Sequence, residues 1–302
     1  MPATRKPKPK AKPAPKPLTH THPIRAAVFD IDGTLALMDK DAGTYAALPG
    51  AVETVAALAR KMPVIAYTNG TFFPPEHYYP LLAEAGFAFA PGHILTPAVV
   101  AARQLKKLGH IRVMVLGADG ARVPLRQAGM EIVEAAKGAP KVDAVLVAWT
   151  PDFNAANLEA AAQAVWAGAP LYATSVAPYF AGAKGRLLGV SGAIAAAIHN
   201  ATGVKAILFG KPDTAGLDMA AEIAGVAPHE MVVIGDDPKL ELEMARRGGA
   251  FAVGVTTGVA EHAAFAAYLE EFRAHVVLEG LTGLAEAGWW KGRVEDRDAQ
   301  TQ

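Results

Sequence analysis

Two carboxylates two residues apart, Asp30 and Asp32, follow the apolar run Ala26-Ala27-Val28-Phe29 and lead into Gly33-Thr34-Leu35. If that run is a strand, residues i and i+2 project to one side, so both acids converge on one ligand and the glycine turns the chain away. Paired carboxylates at a strand end suit a hard cation and a phosphate. The same residues also describe an Asp-x-Asp-Gly surface turn, so the motif has to be weighed with the rest of the chain.

Three further apolar runs end in polar groups of the same kind. Val64-Ile65-Ala66-Tyr67 runs into Thr68, Asn69 and Gly70, where a hydroxyl and backbone N–H groups either hold phosphate oxygens or simply make a turn. Leu208-Phe209 runs into Gly210-Lys211-Pro212. No glycine stands five positions ahead of Gly210 and no Ser or Thr follows the lysine, so this is not a Walker loop. Lys211 is either a surface lysine in a turn or a charge neutraliser for a carboxylate nucleophile and the phosphoryl group it attacks. Met231-Val232-Val233-Ile234 runs into Gly235-Asp236-Asp237, acids able to complete a magnesium site together with a carbonyl, waters and a phosphate oxygen. Each piece alone is commonplace, but together they supply what phosphoryl transfer needs.

The elements that must position these groups read as alternating strands and helices. Strands are expected at 26–29, 63–67, 112–116, 143–148, 206–209, 231–234 and 251–255, with helices at 51–61, 76–86, 98–108, 155–167, 191–202, 214–225, 240–247 and 261–272. This alternation predicts an α/β fold, a Rossmann-like parallel sheet with helices on both faces. Most of the helical stretches end at a glycine, as left-handed caps do.

A chain of 302 residues, 52% hydrophobic, suits two domains or one domain carrying a large insertion. The absence of cysteine excludes disulfides, thiolate zinc sites and cysteine nucleophiles. The formal net charge of zero hides an asymmetry: residues 1–20 hold Arg5, Lys6, Lys8, Lys10, Lys12 and Lys16 with no acid, so the remainder is mildly acidic. This Pro/Ala/Lys leader reads as a disordered, solvated tail; no nucleic-acid partner is expected. The uncharged stretch between Glu159 and Lys184 contains Gly168, Pro170, Pro178 and Gly182, which argues against a membrane span. With no export or lipidation signal, a cytoplasmic location is expected. Trp289 and Trp290 are expected to pin the last segment to the body, and 291–302 to fray. His77, His93 and His199 show no metal-binding spacing.

The four motifs together resemble those of the haloacid dehalogenase superfamily, and within it the class IIA, NagD-like and p-nitrophenyl-phosphatase-like branch. Phe29 to Leu35 resembles the first motif, Thr68-Asn69 the second, Gly210-Lys211-Pro212 the third and Gly235-Asp236 the fourth. The resemblance implies Asp30 as nucleophile, Asp32 as general acid/base, Thr68, Asn69 and Gly70 around the phosphate, Lys211 as charge neutraliser and Asp30, Asp32 and Asp236 around Mg²⁺. It also implies a core in two parts, 23–91 and 178–288, with an inserted α/β cap at 92–177; composition sets the basic tail at 1–22 and the C-terminal tail at 289–302 outside them. Trp149-Thr150-Pro151-Asp152-Phe153 looks like a cap segment that touches substrate through Asp152, and Ala173-Thr174-Ser175 like the return strand. Glu241 stands where relatives commonly carry aspartate, and Gly70 where many have a second asparagine.

The expected activity is a Mg²⁺-dependent hydrolysis of small phosphomonoesters, of the sugar phosphate, glycerol phosphate or nucleotide monophosphate class, through an aspartyl phosphate. A phosphotransferase or mutase on the same intermediate is an alternative, as is a sensor that binds phosphate and magnesium without turnover. The partner is a small phosphorylated metabolite, with self-association open.

Overall fold

The computed structural model describes residues 20–284. The expectations for the leader through residue 19, for Trp289 and Trp290 and for the C-terminal segment lie outside the described residues. Six strands form one parallel sheet in the order 276–278, 251–255, 231–235, 26–29, 64–67, 94–95. Ala26–Phe29 is buried along its whole length, as a central strand covered on both faces has to be. It pairs in register with Met231–Gly235 on one side, Phe29 opposite Ile234, and with Val64–Tyr67 on the other, Phe29 opposite Ala66. After Ala26–Phe29 the chain builds outward through Val64–Tyr67 and then returns to the other flank through Met231–Gly235. A crevice therefore opens at the carboxyl ends of these three strands, where the direction of building reverses.

Helices Ala51–Ala59 and Pro75–Glu84 cover one face through Val55, Leu58, Tyr78 and Leu82. Ala215–Ala224 and Glu243–Arg247 cover the other through Leu217, Ala220, Ala221 and Met244. A second parallel sheet, of five strands, has the order 207–208, 171–173, 144–147, 112–116, 131–133. Pro97–Lys107 and Asp119–Gln127 pack on one of its faces, Ala155–Trp166 and Val190–Thr202 on the other. The sheets do not divide at residues 92 and 177: Ile94–Leu95 lies in the six-stranded sheet and Ile207–Leu208 in the five-stranded one.

Two hairpins that the apolar pattern does not reveal make a third, four-stranded sheet. Ala36–Asp39 with Thr44–Ala47 follows the first acids, and Tyr179–Gly182 with Gly185–Leu188 follows strand Leu171–Ala173 of the second sheet. They meet at a single parallel pair, Gly182 opposite Met38. Residues 240–247 are helical as expected, but begin as a π-helical turn, Pro238–Leu242. The expected helix 261–272 is shorter, His262–Ala267, with a separate 3₁₀ turn at Glu270–Phe272. No described helix is long and apolar enough to cross a membrane.

Candidate active site

The crevice gathers Asp30, Asp32, Asn69, Gly70 and Asp236 around one cavity. Asp30 N–H still donates to Ile234 O at 2.9 Å, so the central strand delivers its first acid before pairing ends. Gly33 then adopts φ 99° and sits against Asp236, leaving no room for a Cβ. Lys211 arrives from elsewhere, since it follows Ile207–Leu208 of the five-stranded sheet. Its ammonium is 1% exposed and donates to Asp30 Oδ1, to Glu241 Oε1 at 2.6 Å and to Tyr67 O at 2.9 Å. The π-helical turn carries Glu241 to it, and Gly235 lets the Glu241 side chain pass, because a Cβ there would stand 2.3 Å from Glu241 Cβ. Glu241 Oε2 also accepts from Asp237 N–H at 3.1 Å, so the longer side chain is anchored at both oxygens.

Thr68 is fully buried, and its hydroxyl donates to Asp32 Oδ2 at 3.1 Å while accepting from Gly70 N–H at 2.8 Å. The Asn69 amide faces the backbone of Lys211, accepting from its N–H at 3.0 Å and donating to its carbonyl at 3.3 Å. Both side chains expected at the phosphate are thus hydrogen-bonded to Asp32 and Lys211. Asp236 Oδ2 accepts from Val259 N–H at 2.7 Å, an approach that requires Gly258, whose Cβ would fall 1.8 Å from that oxygen.

Asp152 is not brought to the cavity. Trp149 lines it, but the Thr150 hydroxyl accepts from Asp152 N–H at 3.2 Å and turns the chain, so Asp152 is exposed in a separate groove with Gly117 and Arg122. Phe153 packs instead on the core of the second sheet.

Burial pushes the Asp30 carboxyl up, against the pull of the Lys211 ammonium. Burial also works against that ammonium, but Asp30 and Glu241 outweigh it and hold it protonated. Asp32 is pushed up to about 6 by burial, partly offset by the Thr68 hydroxyl. Asp236 is raised by burial and by the neighbouring acids, Glu241 foremost. Four buried acids therefore share one buried lysine. Among the described residues, Asp32 Oδ1 has no hydrogen-bond partner. Donors that are all oxygen, crowded and undercompensated, fit a hard divalent cation. Among the described residues no three acidic or imidazole side chains are arranged to hold a metal by themselves, so a cation here would draw further ligands from water, carbonyl or substrate.

Sequence reasoning missed Tyr45. It comes from the hairpin strand Thr44–Ala47, is buried, and its hydroxyl lies within reach of Asp32 while lacking hydrogen-bond geometry to any partner among the described residues. Phe180, from the other hairpin, also lines the cavity and packs on Phe72 with centroids 5.5 Å apart. Phe72 meets the Trp149 ring edge-on at 4.8 Å. Trp149 N–H donates to Thr71 Oγ1 at 3.0 Å, tying the second sheet to the loop after Val64–Tyr67. The cavity measures about 60 Å³, room for roughly four to six waters.

A sequence model described as haloacid dehalogenase-like hydrolase matches residues 27–131, and one described as HAD-hydrolase-like matches 208–284. The chain is 30% identical over 237 residues to mouse haloacid dehalogenase-like hydrolase domain-containing protein 2, covering 78% of this chain and 85% of the relative. It is 29% identical over 276 residues to rat chronophin, covering 87% of each. Among solved structures it is similar to a glycerol phosphate phosphatase of Mycobacterium tuberculosis in complex with magnesium, with a TM-score of 0.75 and 25% identity over 86% of this chain and 76% of that one.

Proposed function

This chain belongs to the haloacid dehalogenase-like hydrolases, and from that premise we propose that it is a phosphatase of small phosphomonoesters working through an aspartyl phosphate. The observation that carries the reading is the buried Lys211 ammonium shared by Asp30 and Glu241, with Asp32 beside it at the crevice. A lysine so placed favours the ionised form of Asp30 against the burial that raises it and faces the charge that builds on the phosphoryl oxygens.

Asp30 attacks phosphorus in line, forming the acyl phosphate as the ester P–O bond breaks. Asp32, with a pKa near 6, gives its proton to the departing alkoxide. It then takes one from the water that releases phosphate and regenerates Asp30. Thr68 fixes the Asp32 carboxylate through its 3.1 Å hydrogen bond. Asn69 fixes Lys211 through the backbone. Asp30, Asp32 and Asp236 would hold Mg²⁺, which supplies positive charge to the phosphoryl oxygens when bound. Phosphoryl chemistry is assigned to the six-stranded unit and leaving-group selection to the five-stranded unit with its hairpin, the chain crossing between them after Leu95 and after Leu208.

The test is Mg²⁺-dependent release of phosphate from p-nitrophenyl phosphate and from a panel of phosphomonoesters. Release that chelator abolishes supports the reading. No release from any ester, or stoichiometric transfer of the phosphoryl group to a second substrate without release, overturns it in favour of a sensor or a phosphotransferase.

A further inference from the structure

The walls of the cavity above Asp30 differ sharply from its floor. Phe72, Trp149, Tyr179, Phe180, Val190 and Leu240 supply a largely aromatic and aliphatic wall. Among the described residues, every side chain lining the cavity that carries a charge near neutrality is an acid, and no lysine, arginine or histidine lines it. Lys211 lies beneath, with its three donors directed to Asp30, Glu241 and Tyr67 O. Arg186 is exposed and stands 4.2 Å from the Tyr179 ring centroid, outside the lining.

These walls decide what a leaving group can be. The phosphate end lies nearest the lysine held beneath Asp30, but a carboxylate or second phosphate on the other end would be desolvated among rings, acids and the few hydroxyl and amide groups of Asn69, Thr71, Ser175 and Ser191, with no cation among the described lining residues to pair with. A neutral group with an apolar face meets matching surface there, since aromatic rings gain both from burial and from edge-to-face contacts. Phe72, Trp149 and Phe180 pack on one another at 4.8 and 5.5 Å, so they form a wall for a flat face and not a cage around a point charge.

We propose that the phosphomonoester hydrolysed here carries a neutral leaving group with an aryl or comparably bulky apolar face, and that esters bearing a second anionic group are rejected. This rests on the phosphatase reading above. The test compares kcat/KM of the full chain with Mg²⁺ on phenylethyl phosphate, glycerol phosphate and phosphoglycolate. All three are alkyl esters, so intrinsic P–O lability differs little, while inorganic phosphate release from p-nitrophenyl phosphate, whose leaving group departs without acid assistance, shows only whether phosphoryl transfer occurs at all. Phenylethyl phosphate is expected to exceed glycerol phosphate by about 10- to 200-fold, with phosphoglycolate lower again by on the order of 100-fold. Phe180→Ala should compress the first ratio. Val190→Arg, which places a cation in the half-buried wall, should raise phosphoglycolate relative to phenylethyl phosphate. Phosphoglycolate matching phenylethyl phosphate in wild type would overturn the proposal, and so would ratios untouched by both folded variants. Loss of activity on every ester, p-nitrophenyl phosphate included, would instead remove the phosphatase reading and this inference with it.

Discussion

Asn69 and Lys211, 142 positions apart, are joined by a pair of hydrogen bonds in which the Asn69 amide both accepts from the Lys211 N–H and donates to its carbonyl. The amide acts as a backbone surrogate, clamping a residue that follows the five-stranded sheet to a loop of the six-stranded one. Asn69→Ala removes both bonds and lets the ammonium drift from Asp30. A displacement of about 1 Å at such a group costs on the order of 100-fold in rate. The expected result is kcat lower by about 10- to 100-fold, with the inhibition constant for inorganic phosphate changed by less than about 3-fold. A large loss of phosphate affinity at unchanged kcat would mean that Asn69 binds the anion directly.

Asp30→Asn is nearly isosteric, keeps an acceptor for Lys211 and removes the nucleophile. Turnover should fall by several orders of magnitude while the far-UV spectrum and cooperative unfolding are retained. More than about a tenth of wild-type kcat in a clean preparation would take Asp30 out of the role.

Asp32 gives a pH-dependent prediction. Burial raises its pKa from the ordinary 3.8 to about 6, so between these values the folded protein keeps a proton that the unfolded chain has released. Stability therefore falls as pH rises through this window, and the deficit is complete above about 6. Asp32→Asn removes the deficit and retains an oxygen for the Thr68 hydroxyl. In chelator at neutral pH the variant should be more stable by on the order of 1–3 kcal/mol, a few degrees in Tm. That gain should vanish near pH 4, and catalysis should be lost. A variant less stable than wild type at neutral pH contradicts the assignment of burial as the dominant cause.

The main strands and helices were legible because each is an apolar run with one period. Ala26–Phe29, Arg112–Leu116 and Phe251–Val255 lie where the pattern puts them, and the six-stranded sheet brings Asp30, Asp32, Thr68 and Asp236 to adjacent strand ends. What escaped has a physical reason in each case. The hairpin strand Thr44–Ala47 is exposed except for Tyr45, so no periodicity marks it and its tyrosine carries no signal. Asp119–Gln127 hides behind Gly120 and Pro124, and that glycine is required because a Cβ would fall 2.2 Å from Thr71 O. Asp152 was placed at the substrate because Trp149 to Phe153 resembles a cap segment; Trp149 does line the cavity, but the turn closed by Thr150 separates Asp152 from it within three residues. Lys211 was recognised as a strand-end lysine, yet nothing local says that its strand pairs with Leu171–Ala173 in the other sheet.

Gly258 is the most stringent test of how Asp236 is held, because it lies 22 positions away and bears no functional group of its own. Its missing Cβ leaves the space that Asp236 Oδ2 occupies when it accepts from Val259 N–H at 2.7 Å. Gly258→Ala would put a methyl group 1.8 Å from that oxygen, an overlap that only movement of the carboxylate or of the 256–259 loop relieves. If Asp236 helps to hold the cation, either movement weakens an oxygen site whose affinity depends on the count and placement of its carboxylates. Gly258→Ala should then raise the Mg²⁺ concentration for half-maximal activity, as Asp236→Ala does, with kcat at saturating Mg²⁺ recovering further in Gly258→Ala, where the carboxylate is displaced and not removed. A Mg²⁺ titration of wild type and both variants on p-nitrophenyl phosphate reads this directly. Unchanged half-saturation in both would separate Asp236 from the cation, and an effect confined to Asp236→Ala would show that the loop absorbs the methyl without moving the carboxylate.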